Sequence, residues 1–158
     1  MISTYQHFED VAPMYRQLRT TDMGPIRAIS ELLNHQTALR IADIGCGTGR
    51  YSQLLHNHLK SESVMYCMDF NHAMLGQLRS ELNTSEQSEF HLIQCSAASI
   101  PLVASCLDVI TSFNAIHHFD LPGFIAEISR LLDVNGQAFL YTRLKEQNVS
   151  TIWGRFFP

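Results

Sequence analysis

Short apolar runs alternate with amphipathic segments between residues 39 and 142, and this alternation constrains the fold more than any other feature of the chain. Five runs have the near-continuous apolar character of buried strands: residues 39–44, 64–68, 90–95, 107–113 and 137–142. Between most of them apolar residues recur at helical spacing, as Met74, Leu78 and Leu82 do. Such strands occur in parallel sheets, whose crossover helices cover both faces. The sequence therefore predicts an α/β fold with a doubly wound, mostly parallel sheet.

Helical patterns flank this alternating core. Residues 4–19 and 25–36 carry apolar residues at helical spacing, which predicts an N-terminal helical cap over residues 1–36. Residues 37–143 form the predicted core. Residues 144–158 form a predicted helical tail, with Trp153, Phe156 and Phe157 as apolar anchors. A chain of 158 residues fits one domain of ordinary size.

Composition narrows the functions that we expect. Eleven Lys and Arg against fifteen Asp and Glu give a net charge of -4, which argues against a surface that follows nucleic-acid phosphates. We therefore expect no nucleic-acid partner. No apolar stretch approaches the ~20 residues of a membrane span, and the N-terminus lacks the features of a secretory signal. The four cysteines show no Cys-x-x-Cys spacing, so we expect reduced thiols, no metal site and a cytoplasmic protein.

A glycine-rich loop at residues 45–49 follows the first predicted strand, and Asp69 ends the second. Glycines let a ligand approach the backbone, and a carboxylate at a strand end can accept both hydroxyls of a ribose. Alone, the loop could be a tight turn, but the two signals together predict a nucleoside site. We expect this site at residues 45–49, 69–71, 95–98 and 113–118. The G-x-G-x-G spacing differs from the dinucleotide fingerprint G-x-G-x-x-G, which disfavours NAD.

Beyond these signals, the sequence resembles the class I S-adenosylmethionine-dependent methyltransferases. Within them it is similar to the small-molecule group that includes the ubiquinone and menaquinone biosynthesis enzymes, methyltransferase type 11. The similarity lies in residues 41–49, 68–75, 107–119 and 127–137, and in the N-terminal pattern of Phe8, Ala12, Tyr15 and Arg19. It covers most of residues 5–143. The resemblance implies a Rossmann-like sheet and S-adenosyl-L-methionine as the cofactor.

The resemblance also implies a role for individual residues. Gly45, Cys46 and Gly47 would approach the methionine part of the cofactor, and Asp69 would hold the ribose. Phe70 would pack on the adenine, Asn114 and Ala115 would lie near the sulfonium and the substrate mouth, and Tyr15 would close over the cofactor from the cap. Ala97 is a further predicted cofactor-binding residue.

Two features depart from the family pattern. The family often carries an acidic residue after the third strand, where it contacts the adenine amine. Here that stretch is Cys95-Ser96-Ala97-Ala98, so Ser96 or backbone groups would have to serve. The family sheet also has seven strands, whereas this sequence shows five. We therefore expect a fold truncated after the fifth strand, either as a fragment of a longer protein or with that edge covered, for example in a homodimer.

The leading hypothesis is an S-adenosylmethionine-dependent methyltransferase that acts on a small molecule by direct displacement. A catalytic base is needed only where the acceptor must lose a proton, and His117 and His118 are the candidates for it. One alternative is a non-catalytic domain that binds S-adenosylmethionine or a partner. A less favoured alternative is an NAD-dependent oxidoreductase.

Overall fold

The computed structural model describes residues 21–59, 62–83 and 88–142. Its strands are β1 (Leu39–Ile44), β2 (Ser63–Asp69), β3 (Phe90–Gln94), β4 (Leu107–Phe113) and β5 (Leu132–Tyr141). Its helices are α1 (Gly24–Leu33), α2 (Arg50–His58), α3 (His72–Glu81) and α4 (Leu121–Leu131), with a 3-10 turn at Ile116–His118. The predicted helix over residues 4–19 and the predicted tail lie outside the described residues.

All described strand pairs are parallel, and the strand order is β3-β2-β1-β4-β5. Strand β1 is central and pairs with β2 on one side and β4 on the other. The order reverses at β1, because the chain moves outward to β3 and then returns across β1 to β4. This arrangement confirms the predicted α/β fold with a Rossmann-like parallel sheet. Ligands of such sheets bind beyond the carboxyl ends of the strands at this switch point.

Alternate residues of the strands enter two hydrophobic clusters, one on each face of the sheet. Ile41 packs in the cluster that includes residues of α1, α2 and α3, whereas the adjacent Ala42 packs in the cluster that includes residues of α4. Successive side chains of a strand point to opposite faces, so this alternation follows from the strand itself. Helix α1 therefore packs on the same face as α2 and α3.

Local sequence accounts for where the helices begin. Pro25 lies in the first turn of α1, where its missing N–H leaves no hydrogen bond unmade. Asn71 precedes α3, and its side-chain oxygen accepts the backbone N–H of Met74 at 3.2 Å, so Asn71 caps the start of this helix. The apolar side of that helix, Met74, Leu78 and Leu82, is buried as predicted.

The fifth strand begins earlier than the sequence indicates. The sequence predicts a turn at Asn135-Gly136 and a strand from residue 137, but β5 starts at Leu132. Leu132 pairs with Leu107 while Gln137 pairs with Val109, so the residues of β5 between these pairs lie within an irregularity. The prediction of this boundary was wrong because the early pairing depends on a distant strand. In the described sheet, β3 and β5 form the two edges.

Candidate functional site

The loop after β1 and the end of β2 are joined by direct hydrogen bonds. Gly47 donates its backbone N–H to Asp69 Oδ2 at 2.8 Å, and Asn71 donates its backbone N–H to Asp69 Oδ1 at 2.8 Å. The backbone N–H groups of Gly45 and Cys46 both donate to the carbonyl of Met68, at 2.8 and 3.0 Å. The two sequence signals for a nucleoside site therefore belong to one continuous surface.

Three glycines shape this loop through left-handed backbone conformations. Gly45, Gly47 and Gly49 have φ angles of 74°, 56° and 68°, which L side chains rarely adopt. A Cβ on Gly45 would lie 2.5 Å from Ala115 Cβ, and one on Gly49 would lie 2.4 Å from Leu78 Cδ1. A Cβ on Gly47 would meet nothing within 4 Å. Gly45 and Gly49 therefore permit close packing against Ala115 and Leu78, and Gly47 leaves open space beside the loop.

A cleft of about 420 Å³ lies in front of the loop, at the carboxyl ends of the strands. This volume is in the range of small-molecule sites, about 300–1,000 Å³. Eight predicted site residues line it together: Gly45, Cys46, Gly47, Asp69, Phe70, Ser96, Ala97 and Asn114. Phe70 is 63% exposed and presents its ring at the cleft. Their individual roles toward a cofactor stay predictions.

The remaining predicted site residues have different positions. His118 lines the cleft, whereas His117 is not among the residues that line it, although the two rings lie 4.0 Å apart. Tyr15, predicted to close over the cofactor, lies outside the described residues. The geometry thus separates the two histidine candidates and favours His118 as the one that can face a ligand.

Asp69 combines burial with backbone hydrogen bonds. Burial raises the pKa of Asp69 above its ordinary value, and the backbone N–H groups of Asn71, Gly47 and Phe70 oppose that rise. A carboxylate has about four acceptor positions, so with these three donors about one position remains for a ligand hydroxyl. Burial also raises the pKa of the Cys46 thiol, which therefore stays protonated and is a poor nucleophile.

Asp43, which lies two residues before the glycine loop, is a residue of this region to which the sequence analysis assigns no role. It lies near the end of β1 in a buried position, where it accepts hydrogen bonds from the hydroxyls of Ser52 and Thr111 at 2.5 and 3.2 Å. Burial raises the pKa of Asp43 to about 6, and the two hydroxyl groups oppose that rise. The sequence signal that could have found it is an acidic residue near the end of a mainly apolar strand. Asp43 fixes α2 and β4 behind the loop.

Another group that the sequence reasoning missed forms one wall of the cleft. The rings of Tyr51 and Phe113 line the cleft and stack with centroids 4.6 Å apart. The hydroxyl of Tyr51 accepts the backbone N–H of Asp22 at 3.2 Å, and the Asp22 carboxylate accepts the hydroxyl of Tyr141 at 2.7 Å. This tie joins the segment before α1 to α2 and the end of β5. No short sequence motif marks it.

A parallel sheet with a glycine-rich loop joined to an acidic strand end is the architecture of nucleoside-binding α/β enzymes. The sequence matches the methyltransferase domain family over residues 42–140. The chain belongs to this family, and fold and match together place it among the class I S-adenosylmethionine-dependent methyltransferases. The predicted cofactor, S-adenosyl-L-methionine, is the cofactor of this class.

Individual relatives support this placement. The chain is 33% identical over 101 residues to the ubiquinone/menaquinone biosynthesis C-methyltransferase UbiE of Xanthomonas oryzae, a match that covers 63% of this chain and 40% of UbiE. It is 30% identical over 113 residues to the mouse tRNA (carboxymethyluridine(34)-5-O)-methyltransferase ALKBH8, covering 68% of this chain and 15% of that protein. The chain thus spans well under half the length of these curated relatives.

A solved structure shows the same fold. It is described as an S-adenosyl-L-methionine-dependent methyltransferase from Methanococcus maripaludis and superimposes with a TM-score of 0.68 at 20% sequence identity. The match covers 86% of this chain and 61% of that one. At this identity the similarity supports the fold alone.

The expectation that this chain has no nucleic-acid partner was wrong. It rested on the net charge of -4, yet the relatives of this chain include the tRNA methyltransferase ALKBH8. Net charge averages over a whole surface and does not describe the residues around one cleft. The charge of this chain therefore excludes neither class of acceptor.

Within residues 21–59, 62–83 and 88–142, no helix has both the length and the apolar character of a bilayer-spanning segment. In the same ranges, no group of three or more His, Cys, Asp or Glu side chains could hold a metal ion.

Proposed function

We propose that the cleft binds S-adenosyl-L-methionine and aligns its methyl group with an acceptor for transfer. The observation that supports this most directly is the 2.8 Å hydrogen bond between the Gly47 N–H and the Asp69 carboxylate. It brings the loop suited to the methionine part within reach of the carboxylate suited to the ribose. When bound, the cofactor supplies an activated methyl group on a positively charged sulfur.

The residues present fit this cofactor. The open space in front of Gly47 lets a ligand lie against the backbone, because no side chain fills it. Asp69 keeps about one acceptor position for a ligand, since the backbone N–H groups of Gly47, Asn71 and Phe70 use three of the roughly four positions of its carboxylate. We propose that Gly45, Cys46 and Gly47 hold the methionine part and that Asp69 holds the ribose. Phe70 and Ala97 would lie against the adenine.

The contribution of the protein to methyl transfer is alignment and exclusion of water. Alignment of reactants can supply effective molarities of about 10⁵–10⁸ M, so a transfer of this kind does not require a base. Asn114 follows β4 with a φ of 55°, a left-handed conformation held by its N–H bond to the Tyr141 carbonyl at 2.7 Å. That conformation turns the chain at the cleft, where we propose that Asn114 lies near the sulfonium.

We propose a small molecule as the acceptor, with His118 as the group that accepts a proton where the acceptor must lose one. The cleft supports this, because its lining near Asn114 includes Phe113, Ala115 and Phe119, which suit an apolar acceptor better than a phosphate backbone. The similarity to UbiE, named as a ubiquinone/menaquinone biosynthesis C-methyltransferase, agrees with this proposal. ALKBH8 is named as a tRNA methyltransferase, and transfer of the methyl group to tRNA instead of a small molecule would contradict the proposed acceptor.

Two measurements test the proposed function. Calorimetry with S-adenosylhomocysteine and NAD separates the cofactors, and we expect binding of the first and none of the second. Transfer of a radiolabelled methyl group from S-adenosylmethionine is then compared between a small-molecule panel that includes a quinol and a pool of unmodified tRNA. Labelling of a small molecule supports the proposal, and labelling of tRNA alone refutes the acceptor. Binding without any transfer would favour the non-catalytic alternative.

A further inference from the structure

Asp120 brings a carboxylate to the cleft from an element that the predicted site did not include. It precedes α4, and it lines the same cleft as Ser96 and Ala97, which follow β3. Among the described residues that line the cleft, Asp69 and Asp120 are the two carboxylates. Asp69 is already bonded to the loop through the Gly47 N–H. Asp120 is therefore the second acidic group that a ligand in this cleft can meet.

The carboxylate of Asp120 does not serve the helix that it precedes. An Asp at this position usually accepts an N–H of the first helical turn, but Asp120 makes no such side-chain hydrogen bond. A Cβ on Gly123 would lie 2.7 Å from Asp120 Oδ2 and 2.6 Å from Ala98 Cβ. The absence of that side chain lets the carboxylate lie beside the turn at Ala98.

The turn itself offers a weaker acceptor. The Ser96 hydroxyl oxygen accepts the backbone N–H of Ala98 at 3.2 Å, and the Ser96 carbonyl accepts the N–H of Ser99 at 3.1 Å. One lone pair of the Ser96 hydroxyl is thus committed to its own turn. Hydrogen bonds to a carboxylate are also stronger than those to a neutral hydroxyl. Of the side chains at this end of the cleft, Asp120 is the better acceptor for an N–H donor.

An adenine ring carries such a donor, since its exocyclic amine has two N–H groups. Once that amine leaves water, an unmade hydrogen bond costs binding energy. With the methionine part at Gly47 and the ribose at Asp69, the base extends toward Phe70 and Ala97, where the Ser96 turn and Asp120 lie. We propose that Asp120 accepts a hydrogen bond from this amine and so selects a 6-aminopurine over a 6-oxopurine. This inference rests on the proposed cofactor.

The test is the ratio of two dissociation constants measured by calorimetry, one for S-adenosylhomocysteine and one for S-inosylhomocysteine. The inosyl ligand replaces the amine with a carbonyl, so it offers an acceptor where adenine offers a donor. We expect the wild type to prefer the adenosyl ligand about tenfold. Asp120→Asn should reduce the ratio to near one, because an amide can both accept and donate. A ratio measured within one variant is insensitive to a general loss of folded protein.

Two further variants complete the design. Glu31→Gln changes an exposed carboxylate on α1, away from the cleft, and should keep the wild-type ratio. Ser96→Ala removes the competing acceptor at the turn, and its ratio should stay well above that of Asp120→Asn. Two results would overturn this proposal but not the proposed cofactor, provided that the adenosyl ligand still binds. One is a preference ratio that Asp120→Asn leaves unchanged, and the other is a ratio that Ser96→Ala reduces to one. Failure of the wild type to bind either ligand would overturn the proposed cofactor and this proposal with it.

Discussion

The backbone nitrogen of Gly47 lies 2.8 Å from Oδ2 of Asp69, and this hydrogen bond joins the loop after β1 to the end of β2 across 22 positions of sequence. The carboxylate therefore has two functions: it fixes the loop, and it faces the cleft. A change at Asp69 should affect both the shape of the loop and the affinity for the cofactor.

We expect Asp69→Ala to weaken the binding of S-adenosylhomocysteine by about 10- to 100-fold, the range for lost hydrogen bonds to a charged group. Calorimetry measures this change. Asp69→Asn should bind with intermediate affinity, because its one side-chain oxygen can still accept an N–H. Glu31→Gln, on the exposed side of α1, is the matched control and should bind like the wild type. Affinity of Asp69→Ala equal to that of the wild type would reject the ribose assignment.

Gly47→Ala and Gly49→Ala should separate binding from stability. Both glycines have positive φ, so each substitution costs about 1–2 kcal/mol of backbone strain. At Gly49 the new methyl also meets Leu78 at 2.4 Å, and overpacking adds about 1–3 kcal/mol. Gly47→Ala should thus lose less stability in urea unfolding but more affinity for S-adenosylhomocysteine. Equal affinity of Gly47→Ala and the wild type would show that the ligand does not approach this loop.

Much of the fold follows from local sequence. Strands β1 and β4 have the predicted bounds, 39–44 and 107–113, because each is a mainly apolar run that is followed by a glycine or a polar residue. The start of β5 could not be predicted in this way. Its first residue, Leu132, is in the strand because it pairs with Leu107, and such a pairing leaves no local pattern.

The candidate site likewise has parts that local sequence predicts and parts that depend on distant contacts. The convergence of residues 45–47 with Asp69 could be predicted, because parallel strands bring their carboxyl ends to one edge. The tie between Tyr141 and Asp22 joins residues 119 positions apart, so no motif could indicate it. Asp120 was missed for another reason: an Asp before a helix usually serves as its cap, and only the folded geometry shows that it does not.

Asp43 should make stability depend on pH in the direction opposite to most carboxylates. Burial raises its pKa from 3.8 to about 6. The folded protein then holds a proton that the unfolded chain releases, so the contribution of Asp43 to stability is highest below pH 3.8 and falls as the pH rises to about 6. The shift corresponds to a loss of about 3 kcal/mol. Asp43→Asn removes this titration, so its stability relative to the wild type should increase from about pH 4 to about pH 7.

Asp108→Asn is the control for this measurement. The guanidinium of Arg40 lowers the pKa of Asp108, so its contribution is present above the ordinary pKa and is lost only at more acidic pH. The difference between Asp108→Asn and the wild type should therefore stay flat over the range where the Asp43→Asn difference rises. Thermal unfolding at a series of pH values gives both curves. A flat curve for Asp43→Asn would mean that Asp43 titrates normally in the folded protein.

The hydrogen bond between Asp22 and Tyr141 should be measurable as a coupling free energy of unfolding between these two residues. Asp22→Ala removes the acceptor of the Tyr141 hydroxyl, and Tyr141→Phe removes the donor, so either change breaks the 2.7 Å hydrogen bond. Each residue has other contacts, so the single variants report more than this bond. A double-mutant cycle in urea isolates the pair, and we expect a coupling of about 0.5–1.5 kcal/mol. Additive losses would show that the bond contributes nothing to stability. A second cycle with Tyr51→Phe and Tyr141→Phe measures whether the stacked rings of Tyr51 and Phe113 are energetically coupled to the end of β5.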